Sequence, residues 1–284
     1  MTEVGIGLPS QLPGVTGPLL AGWARRAEER GFASLATIDR VVYSNLEPMA
    51  ALAAAAVVTE RITLFTNILL APVRLPVMLA KQAASVDLLS GGRLRLGLAP
   101  GGREDDYTAT GMRFANRGRR FDAQLALMQG MWKGIPVPGT TRPVGPVPAR
   151  GGIPVLIGGT SDRAIARVVA VGDGWTAGSG AGDAAGTLAE RVRRAWADAG
   201  RAGEPYLTTL AYFYLGSDLN GALDNLTDYY GPERGPMVAA RTGRTPEGLR
   251  AMRARAEESG FDELVLYPAV ADPAEVDRLA DAVL

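Results

Sequence analysis

The sequence contains neither cysteine nor histidine among its 284 residues. Without cysteine the chain can form no disulfide, thiolate metal site or cysteine nucleophile. Without histidine it lacks the commonest general base, the Ser-His-Asp triad and the usual imidazole metal ligands. A Mg²⁺ or Ca²⁺ site built from carboxylates alone would remain, but no spacing of the EF-hand type occurs. We therefore expect no metal site.

The chain also lacks net charge, because 30 basic residues balance 30 acidic ones and neither kind forms a long block. The most apolar segment, residues 49–58, is too short to span a membrane and lies between Glu47 and Glu60. No basic segment followed by an apolar core occurs at the N-terminus, so no signal peptide is expected. We expect a cytoplasmic protein whose main partner is neither nucleic acid nor a membrane surface.

Short β-rich runs alternate with longer segments of helical spacing along the whole chain. Apolar residues make up 47% and charged residues 21%, as is usual in soluble globular proteins. The predicted strands are residues 4–8, 32–38, 61–70, 93–99, 154–157, 173–177, 206–215 and 261–266. The predicted helices are residues 19–30, 47–59, 76–89, 118–132, 162–171, 184–199, 219–230, 246–259 and 273–283.

This alternation indicates βαβ units and an all-parallel sheet. Eight such units in a chain of this length fit an α/β fold, a single (β/α)₈ TIM barrel spanning residues 1–284. A doubly wound sheet is the alternative, but it would more often place a glycine-rich dinucleotide turn after its first strand. Here Pro9-Ser10-Gln11-Leu12-Pro13 follows that strand. Irregular insertions are predicted at residues 10–17, 134–152 and 231–244, which we expect to govern substrate choice.

In a barrel of this kind the chemistry is located at the carboxyl ends of the strands. The segments there are residues 9–14, 39–45, 66–72, 99–107, 158–163, 177–182 and Pro268. Within the fifth, a β-rich run breaks at Gly158-Gly159, and a helix opens on Thr160, Ser161 or Asp162. Unpaired N–H groups, two hydroxyls and the guanidinium of Arg163 make this a candidate phosphate site. The alternative is an ordinary strand-to-helix turn that required glycines.

Several longer motifs resemble a known family. They are APVRLP at 71–76, KQAASVDLLSGGRL at 81–94, LGLA at 96–99, RGRRFD at 117–122, PVLIGGTSDRA at 154–164 and GDGW at 172–175. Together they resemble the bacterial luciferase-like superfamily of flavin and deazaflavin oxidoreductases. The resemblance covers most of residues 1–284 and is strongest between Arg61 and Trp175. It implies a (β/α)₈ barrel that holds FMN or a deazaflavin at the carboxyl ends of its strands.

The resemblance also assigns roles to individual residues. By position, the cofactor phosphate would be held by Gly158, Gly159, Thr160 and Ser161, with assistance from Arg163. Thr66 and Asn67 match the place where the family often carries a non-proline cis peptide under the isoalloxazine. The ring and ribityl chain would run beside Ala99, Pro100 and Gly101. The floor of the site would be lined by Gly5, Gly7 and Leu8.

Two departures from the family pattern bear on the reaction. Arg40 occupies the position after the second strand where many members carry histidine, and Gly102 occupies the position where deazaflavin-dependent dehydrogenases carry glutamate. Oxidation of an alcohol needs a base to accept the hydroxyl proton, and arginine, with a pKa above about 12, is a poor one. The departures weaken an alcohol dehydrogenase assignment. They leave open a deazaflavin reductase that acts on an activated C=C or C=N bond.

We place three polar residues around the reacting groups as catalytic candidates: Arg40, Tyr43 and Asn67. Arg40 could instead form a surface ion pair with Asp39 or Glu47, and Tyr43 could be a solvent-facing loop residue. For Asn67 we favour cofactor contact, because a buried amide needs partners. Asp39 is expected to cap the following turn, residues 103–106 to form a solvated loop before Tyr107, and Tyr212 and Tyr214 to pack in the barrel.

The leading hypothesis is a monooxygenase that uses reduced FMN and O₂ on a small organic substrate. Because no second nicotinamide-binding module is evident, a separate flavin reductase would supply the reduced FMN. One alternative is a deazaflavin-dependent oxidoreductase using the same pocket, and another is a flavin-binding barrel without catalytic activity. The resemblance further suggests a homodimer that forms through residues 47–59 and 76–89.

Overall fold

The computed structural model describes residues 1–178 and 181–284, apart from the side chain of Asp183. Eight parallel strands in these residues close into a barrel in sequence order. The strands are β1 Glu3–Gly7, β2 Ser34–Thr37, β3 Thr63–Leu70, β4 Leu94–Ala99, β5 Val155–Gly158, β6 Gly174–Ala177, β7 Tyr206–Phe213 and β8 Glu263–Pro268. Pairing of β1 with β8, from Glu3 with Glu263 to Ile6 with Leu266, closes the sheet. The (β/α)₈ prediction is confirmed, and the doubly wound alternative is wrong.

Helices surround the barrel. They are α1 Gly17–Arg30, α2 Pro48–Ala56, α3 Pro76–Leu89, α4 Glu104–Ala109, α5 Arg117–Trp132, α6 Asp162–Val171, α7 Ala185–Asp198, α8 Leu219–Tyr230, α9 Gly235–Ala240, α10 Pro246–Glu258 and α11 Ala274–Val283. Local signals set their ends: α1 begins after Thr16, whose side chain accepts a hydrogen bond from the Leu19 N–H, and ends at Gly31 with φ +88°. No helix in the described residues has the length and apolar character needed to cross a bilayer.

Two short helices were not predicted from the sequence. The segment 231–244, predicted as a loop, contains α9, and the loop and turn at 100–111 contain α4. Each helix has only six residues, too few to show a helical period. Tertiary contact stabilises α9, because Gly235 packs directly against the backbone of Thr227 in α8. The insertion at 134–152 is irregular as predicted, without helix or strand.

The interior of the barrel is filled by pairing large side chains with glycines. Gly5 faces Glu263 and Ser34, Gly7 faces the ring of Tyr267, and Gly97 faces Phe65. Glycine is required at these inward positions because a Cβ would overlap the neighbouring group. Alternate residues of the strands point outward and pack against the helices in the main hydrophobic core.

Replacing Gly174 with alanine is expected to lower the free energy of unfolding by about 1–3 kcal/mol. A Cβ at this position would overlap the carbonyl oxygen of Tyr206, a backbone atom of the neighbouring strand that cannot rotate away. The matched control is Gly22→Ala in α1, where a Cβ would meet nothing within 4 Å. That change should stabilise the protein by about 0.5–1 kcal/mol. Urea unfolding of both variants checks the prediction, and equal stability of the two would contradict it.

Candidate active site

The turn between β5 and α6 brings the predicted phosphate-binding residues together. Gly159 has φ +122°, and the indole N–H of Trp175 donates to its carbonyl oxygen over 2.8 Å. Ser161 is the N-cap of α6, and its Oγ accepts a hydrogen bond from the Ala164 N–H at 3.3 Å. The exposed side chain of Thr160 precedes it. The first N–H groups of α6 therefore point to solvent at a position where an anion is favoured.

Charges around this turn also favour an anion. Arg163, in the first turn of α6, makes no hydrogen bond or ion pair with any residue that the structure describes. Asp162 would repel an anion, but its carboxylate forms an ion pair with Arg191 of α7. The guanidinium of Arg163 is thus available to a ligand, whereas the adjacent carboxylate of Asp162 is already paired with a cation.

Asn67 lies in the second half of β3, at the opening formed by the carboxyl ends of the strands. We call this opening the mouth of the barrel. The side chain of Asn67 is buried, and its Oδ1 accepts a hydrogen bond from the Thr176 hydroxyl at 2.6 Å. Its Nδ2 is buried and lacks a hydrogen-bond partner in the described part of the chain. A buried amide donor without a partner is rare, so this N–H₂ group is available to a bound molecule. The peptide bond between Asn67 and Ile68 is cis, at the place that the family resemblance indicates.

Residues beside Asn67 form the walls of the mouth. The side chain of Ile68 occupies the space that a Cβ at Gly158 would fill, next to Ala99. The Tyr107 hydroxyl donates to the carbonyl of Pro100, and Arg117 Nε donates to that of Gly101 at 3.3 Å.

Three other residues predicted to line the site, Thr66, Gly7 and Leu8, do not all turn their side chains toward the mouth. The Thr66 hydroxyl is bonded to the backbone N–H and carbonyl of Gly97, both at 3.0 Å, so only its backbone borders the mouth. Gly7 lies under the ring of Tyr267, whereas Leu8 packs in the main core with the helices. In the predicted segment 177–182, Ser179 and Gly180 lie outside the described residues.

A cluster of tyrosines covers the side of the mouth opposite β5. Ring centroids are 5.0 Å apart for Tyr43 and Tyr229, 5.1 Å for Tyr229 and Tyr230, and 5.8 Å for both Tyr230–Tyr212 and Tyr212–Tyr267. The Tyr212 and Tyr230 hydroxyls are 2.8 Å apart. Sequence reasoning missed Tyr229, Tyr230 and Tyr267; the available signal was a Tyr-Tyr pair at a helix end and a tyrosine near the end of the last strand.

Burial keeps these phenols protonated. It raises the pKa of Tyr212 and of Tyr267 well above the usual value, and it also raises the pKa of Tyr229. At neutral pH these side chains therefore donate hydrogen bonds but do not accept protons. The cluster is a dry wall with hydroxyl donors rather than a set of bases.

Arg40 lies beside this cluster and contacts α8. Its Nη1 donates to the carbonyl oxygen of Tyr229 at 2.6 Å, and its guanidinium lies 5.2 Å from the centre of the Tyr43 ring. Because Tyr229 belongs to the last turn of α8, this cation caps a helix C-terminus. The alternative of an ion pair with Asp39 or Glu47 is wrong, since both acids pair with Arg74 and Arg40 approaches Asp105 at 3.8 Å.

The sequence matches the family model described as luciferase-like monooxygenase over residues 19–277. The chain belongs to the luciferase-like monooxygenase family. Members of this family are oxidoreductases that use a flavin or the deazaflavin F420. The Asn67 Nδ2 and the Arg163 guanidinium have no partner among the described residues, and together with the N-terminus of α6 they fit a phosphorylated cofactor of this type.

Known proteins resemble the chain in sequence and in fold. Rv0940c, an uncharacterized protein of Mycobacterium tuberculosis, is 30% identical over 209 residues, which is 63% of this chain and 71% of Rv0940c. Monooxygenase RslO1 from Streptomyces bottropensis has a TM-score of 0.79 at 21% identity, covering 99% of this chain and 97% of its own.

Two further solved structures hold or use different cofactors. The coenzyme F420-dependent tetrahydromethanopterin reductase from Methanopyrus kandleri has a TM-score of 0.77 at 18% identity, covering 99% of this chain and 98% of its own. The oxygenating constituent of 3,6-diketocamphane monooxygenase from Pseudomonas putida, in complex with FMN, has a TM-score of 0.74 at 16% identity. That match covers 100% of this chain and 99% of the monooxygenase. At these identities the similarity establishes a shared fold.

Two buried carboxylates hold the loop after β2 in this luciferase-like protein. Asp39 does not cap the following turn as predicted, because its Oδ2 accepts from the Leu70 N–H at 2.8 Å and its carboxylate pairs with Arg74. Asp106 is fully buried rather than solvated, and its Oδ1 accepts from the N–H groups of Val41 and Val42 at 2.8 and 2.9 Å. The loop carrying Arg40 and Tyr43 is therefore fixed by the end of β3, through Asp39, and by α4, through Asp106.

We expect stability to fall between about pH 10 and about pH 12. Burial and the hydrogen bond to Asp228 raise the pKa of Tyr43 to about 12, and burial raises that of Tyr107 to about 12. Unfolded tyrosines lose their protons near pH 10, so the unfolded state binds fewer protons in this range and is favoured as pH rises. The melting temperature should change little between about pH 7 and about pH 10 and should fall above that, less steeply in Tyr43→Phe. Complete formation of tyrosinate absorbance in the folded protein below this range would contradict the assignment.

Proposed function

We propose that this protein is the oxygenase component of an FMN-dependent monooxygenase that acts on a small organic substrate. The observation that carries the proposal is the chemistry of the side chains facing the mouth. Asn67, Thr176, Tyr212 and Tyr267 offer amide, hydroxyl and protonated phenol groups, none of which accepts a proton at neutral pH. Such a site suits a reaction whose redox chemistry resides in the cofactor and does not suit alcohol oxidation, which needs a base.

Different residues of the mouth would bind different parts of FMN. Thr160, Ser161 and Arg163, with the N-terminus of α6, would hold the phosphate, and Gly158 and Gly159 would let it approach the backbone. Ala99, Pro100 and Gly101 would flank the ring and ribityl chain, and Gly7 and Thr66 would contribute only backbone surface. When bound, reduced FMN would supply the two electrons with which one oxygen atom of O₂ is transferred to the substrate and the other is released as water.

The remaining polar residues would control proton and water access. The Nδ2 of Asn67 would donate to the ring, which satisfies its buried donor. The tyrosine cluster would exclude water from the reacting groups. Arg40 and Tyr43, which we first placed beside the reacting atoms, would act by holding α8 over the mouth, through the Tyr229 carbonyl and the Asp228 carboxylate.

We also propose two protein partners. One is a separate flavin reductase that supplies reduced FMN, and the other is a second copy of this chain. Exposed apolar side chains support the dimer, because several of them lie on α3 and on the segments that flank α2 and α3. Val57 is 65% exposed, Leu75 61% and Met78 50%, and a second copy of the chain would cover such apolar surface. Sedimentation of the purified protein tests this proposal through its mass in solution.

A deazaflavin-dependent oxidoreductase is the second candidate. Similarity in fold to the F420-dependent reductase of Methanopyrus kandleri favours it, and the Arg163 site could bind the phosphate of either cofactor. In that case the same mouth would serve hydride transfer to an activated C=C or C=N bond. A flavin-binding barrel without activity is the third.

Cofactor titration separates these candidates. The apoprotein would be titrated with FMN, with reduced FMN under nitrogen, and with F420, and oxygen uptake would be followed with a flavin reductase added. We expect reduced FMN to bind most tightly and oxygen uptake to rise with substrate. Tight F420 binding together with negligible binding of reduced FMN would exclude the monooxygenase. Oxygen-dependent turnover of any substrate would exclude the non-catalytic barrel.

A further inference from the structure

A cavity of about 520 Å³ lies beside β7, between α7, α9 and α10. We call it the β7 cavity. Its volume is within the range of sites that bind small organic molecules. It is separate from the phosphate-binding turn, which lies at the end of β5. None of the residues assigned above to the cofactor phosphate lines it.

The β7 cavity reaches both faces of its strand. Thr209 and Ala211 line it from the outer face of β7, and Leu210 and Tyr212 line it from the face that points into the barrel. The pairing of β6 with β7 ends at Ala177 and Thr209, and β7 is next paired on this edge by Gly243. A cavity at this position is continuous from the helices to Tyr212 of the tyrosine cluster, the wall of the barrel mouth.

The lining combines apolar side chains with two arginines, Arg241 and Arg255, of which Arg241 is engaged in another interaction. Ala211, Met252 and Ala256 provide apolar surface, and Phe261 and Leu264 extend it. Arg255 in the last turn of α10 also lines the cavity, and its side chain forms no hydrogen bond or ion pair within the described ranges 1–178 and 181–284. A cavity with apolar walls and an unengaged guanidinium at one side matches a molecule with an apolar body and one anionic group.

We propose that the β7 cavity binds an amphipathic organic anion, with its anionic group at Arg255 and its apolar end directed toward Tyr212. That orientation brings the apolar end to the barrel mouth, so the molecule would be the substrate and oxidation would occur away from the anionic group. The assignment as substrate rests on the proposed function. The binding itself does not, because it depends only on the cavity and Arg255.

Titration calorimetry without flavin tests the binding with decanoate and decanol. We expect decanoate to bind about tenfold more tightly than decanol, which corresponds to about 1.4 kcal/mol. Arg255→Met should lower decanoate affinity to that of decanol without changing decanol affinity. Met252→Trp should weaken both, because the indole fills the cavity. Ala254→Trp, on the exposed face of the same helix, is the matched control and should bind both as the wild type does.

Three results would overturn the proposal. They are decanoate affinity no greater than decanol affinity, no effect of Arg255→Met, and wild-type affinities in folded Met252→Trp. The Arg255 variant alters an exposed side chain and does not threaten folding, so it decides the matter if Met252→Trp unfolds. Because the titration contains no flavin, its failure leaves the monooxygenase proposal intact. Conversely, if the protein binds decanoate but no flavin, the β7 cavity is an anion-binding site and the bound anion is not the substrate of a flavin-dependent reaction.

Discussion

Replacing Glu263 with leucine is expected to lower the free energy of unfolding by about 3–5 kcal/mol. Glu263 lies inside the barrel, where its Oε2 accepts hydrogen bonds from Arg95 at 2.7 Å and from the Tyr206 hydroxyl at 3.2 Å. Its Oε1 accepts from the Ser34 hydroxyl. Burial lowers the pKa of Arg95, but the adjacent Glu263 more than offsets this and holds it above the usual value. Loss of the carboxylate would leave the largely desolvated guanidinium of Arg95, whose side chain is 19% exposed, without its acidic partner.

Urea unfolding measures this effect, and two variants control it. Glu247→Leu breaks the ion pair of Glu247 with Arg250, in which both side chains are more than half exposed, and should change stability by less than about 0.5 kcal/mol. The double variant Arg95→Met with Glu263→Leu removes both charges and should recover part of the loss. A cost for Glu263→Leu no larger than that of Glu247→Leu would show that Arg95 is not desolvated in the barrel.

The fold was predictable because its signals are local. Each strand and helix longer than about six residues carries its own period, cap or glycine stop, and eight repeats of the pattern limit the topology to a barrel. The phosphate turn was predictable for the same reason, since Gly158 to Arg163 are adjacent in sequence. The short helices α4 and α9 were missed because six residues show no period and tertiary contacts stabilise them.

Interactions between distant segments could not be predicted in this way. Arg95 and Glu263 are 168 positions apart and meet only because β1 closes onto β8. The alternation of basic and apolar residues in β4 is visible in the sequence, but polar residues on such a strand usually face solvent. In a barrel covered by helices they face the interior instead. The partner of Arg40 could not be predicted either, because it is a backbone carbonyl on α8, 189 positions away in the sequence.

The double substitution Thr160→Ala with Arg163→Gln is expected to weaken FMN binding by about 10–100-fold and riboflavin binding hardly at all. Hydrogen bonds to a charged group contribute about 1.5–3 kcal/mol, and both side chains are free to reach a phosphate at the start of α6. Riboflavin has the same ring and ribityl chain without the phosphate. The ratio of the two affinities therefore isolates the contact with the phosphate.

Ser161 is left unchanged in this test because its Oγ caps α6 through the Ala164 N–H. Its removal would cost about 1 kcal/mol of helix stability and would confuse a binding defect with a folding defect. Arg194→Gln is the matched control, because it removes an exposed charge from α7 outside the phosphate turn. It should leave both affinities unchanged. Equal losses for FMN and riboflavin in the double variant would show that the β5–α6 turn does not bind the phosphate and that its glycines serve only the strand-to-helix connection.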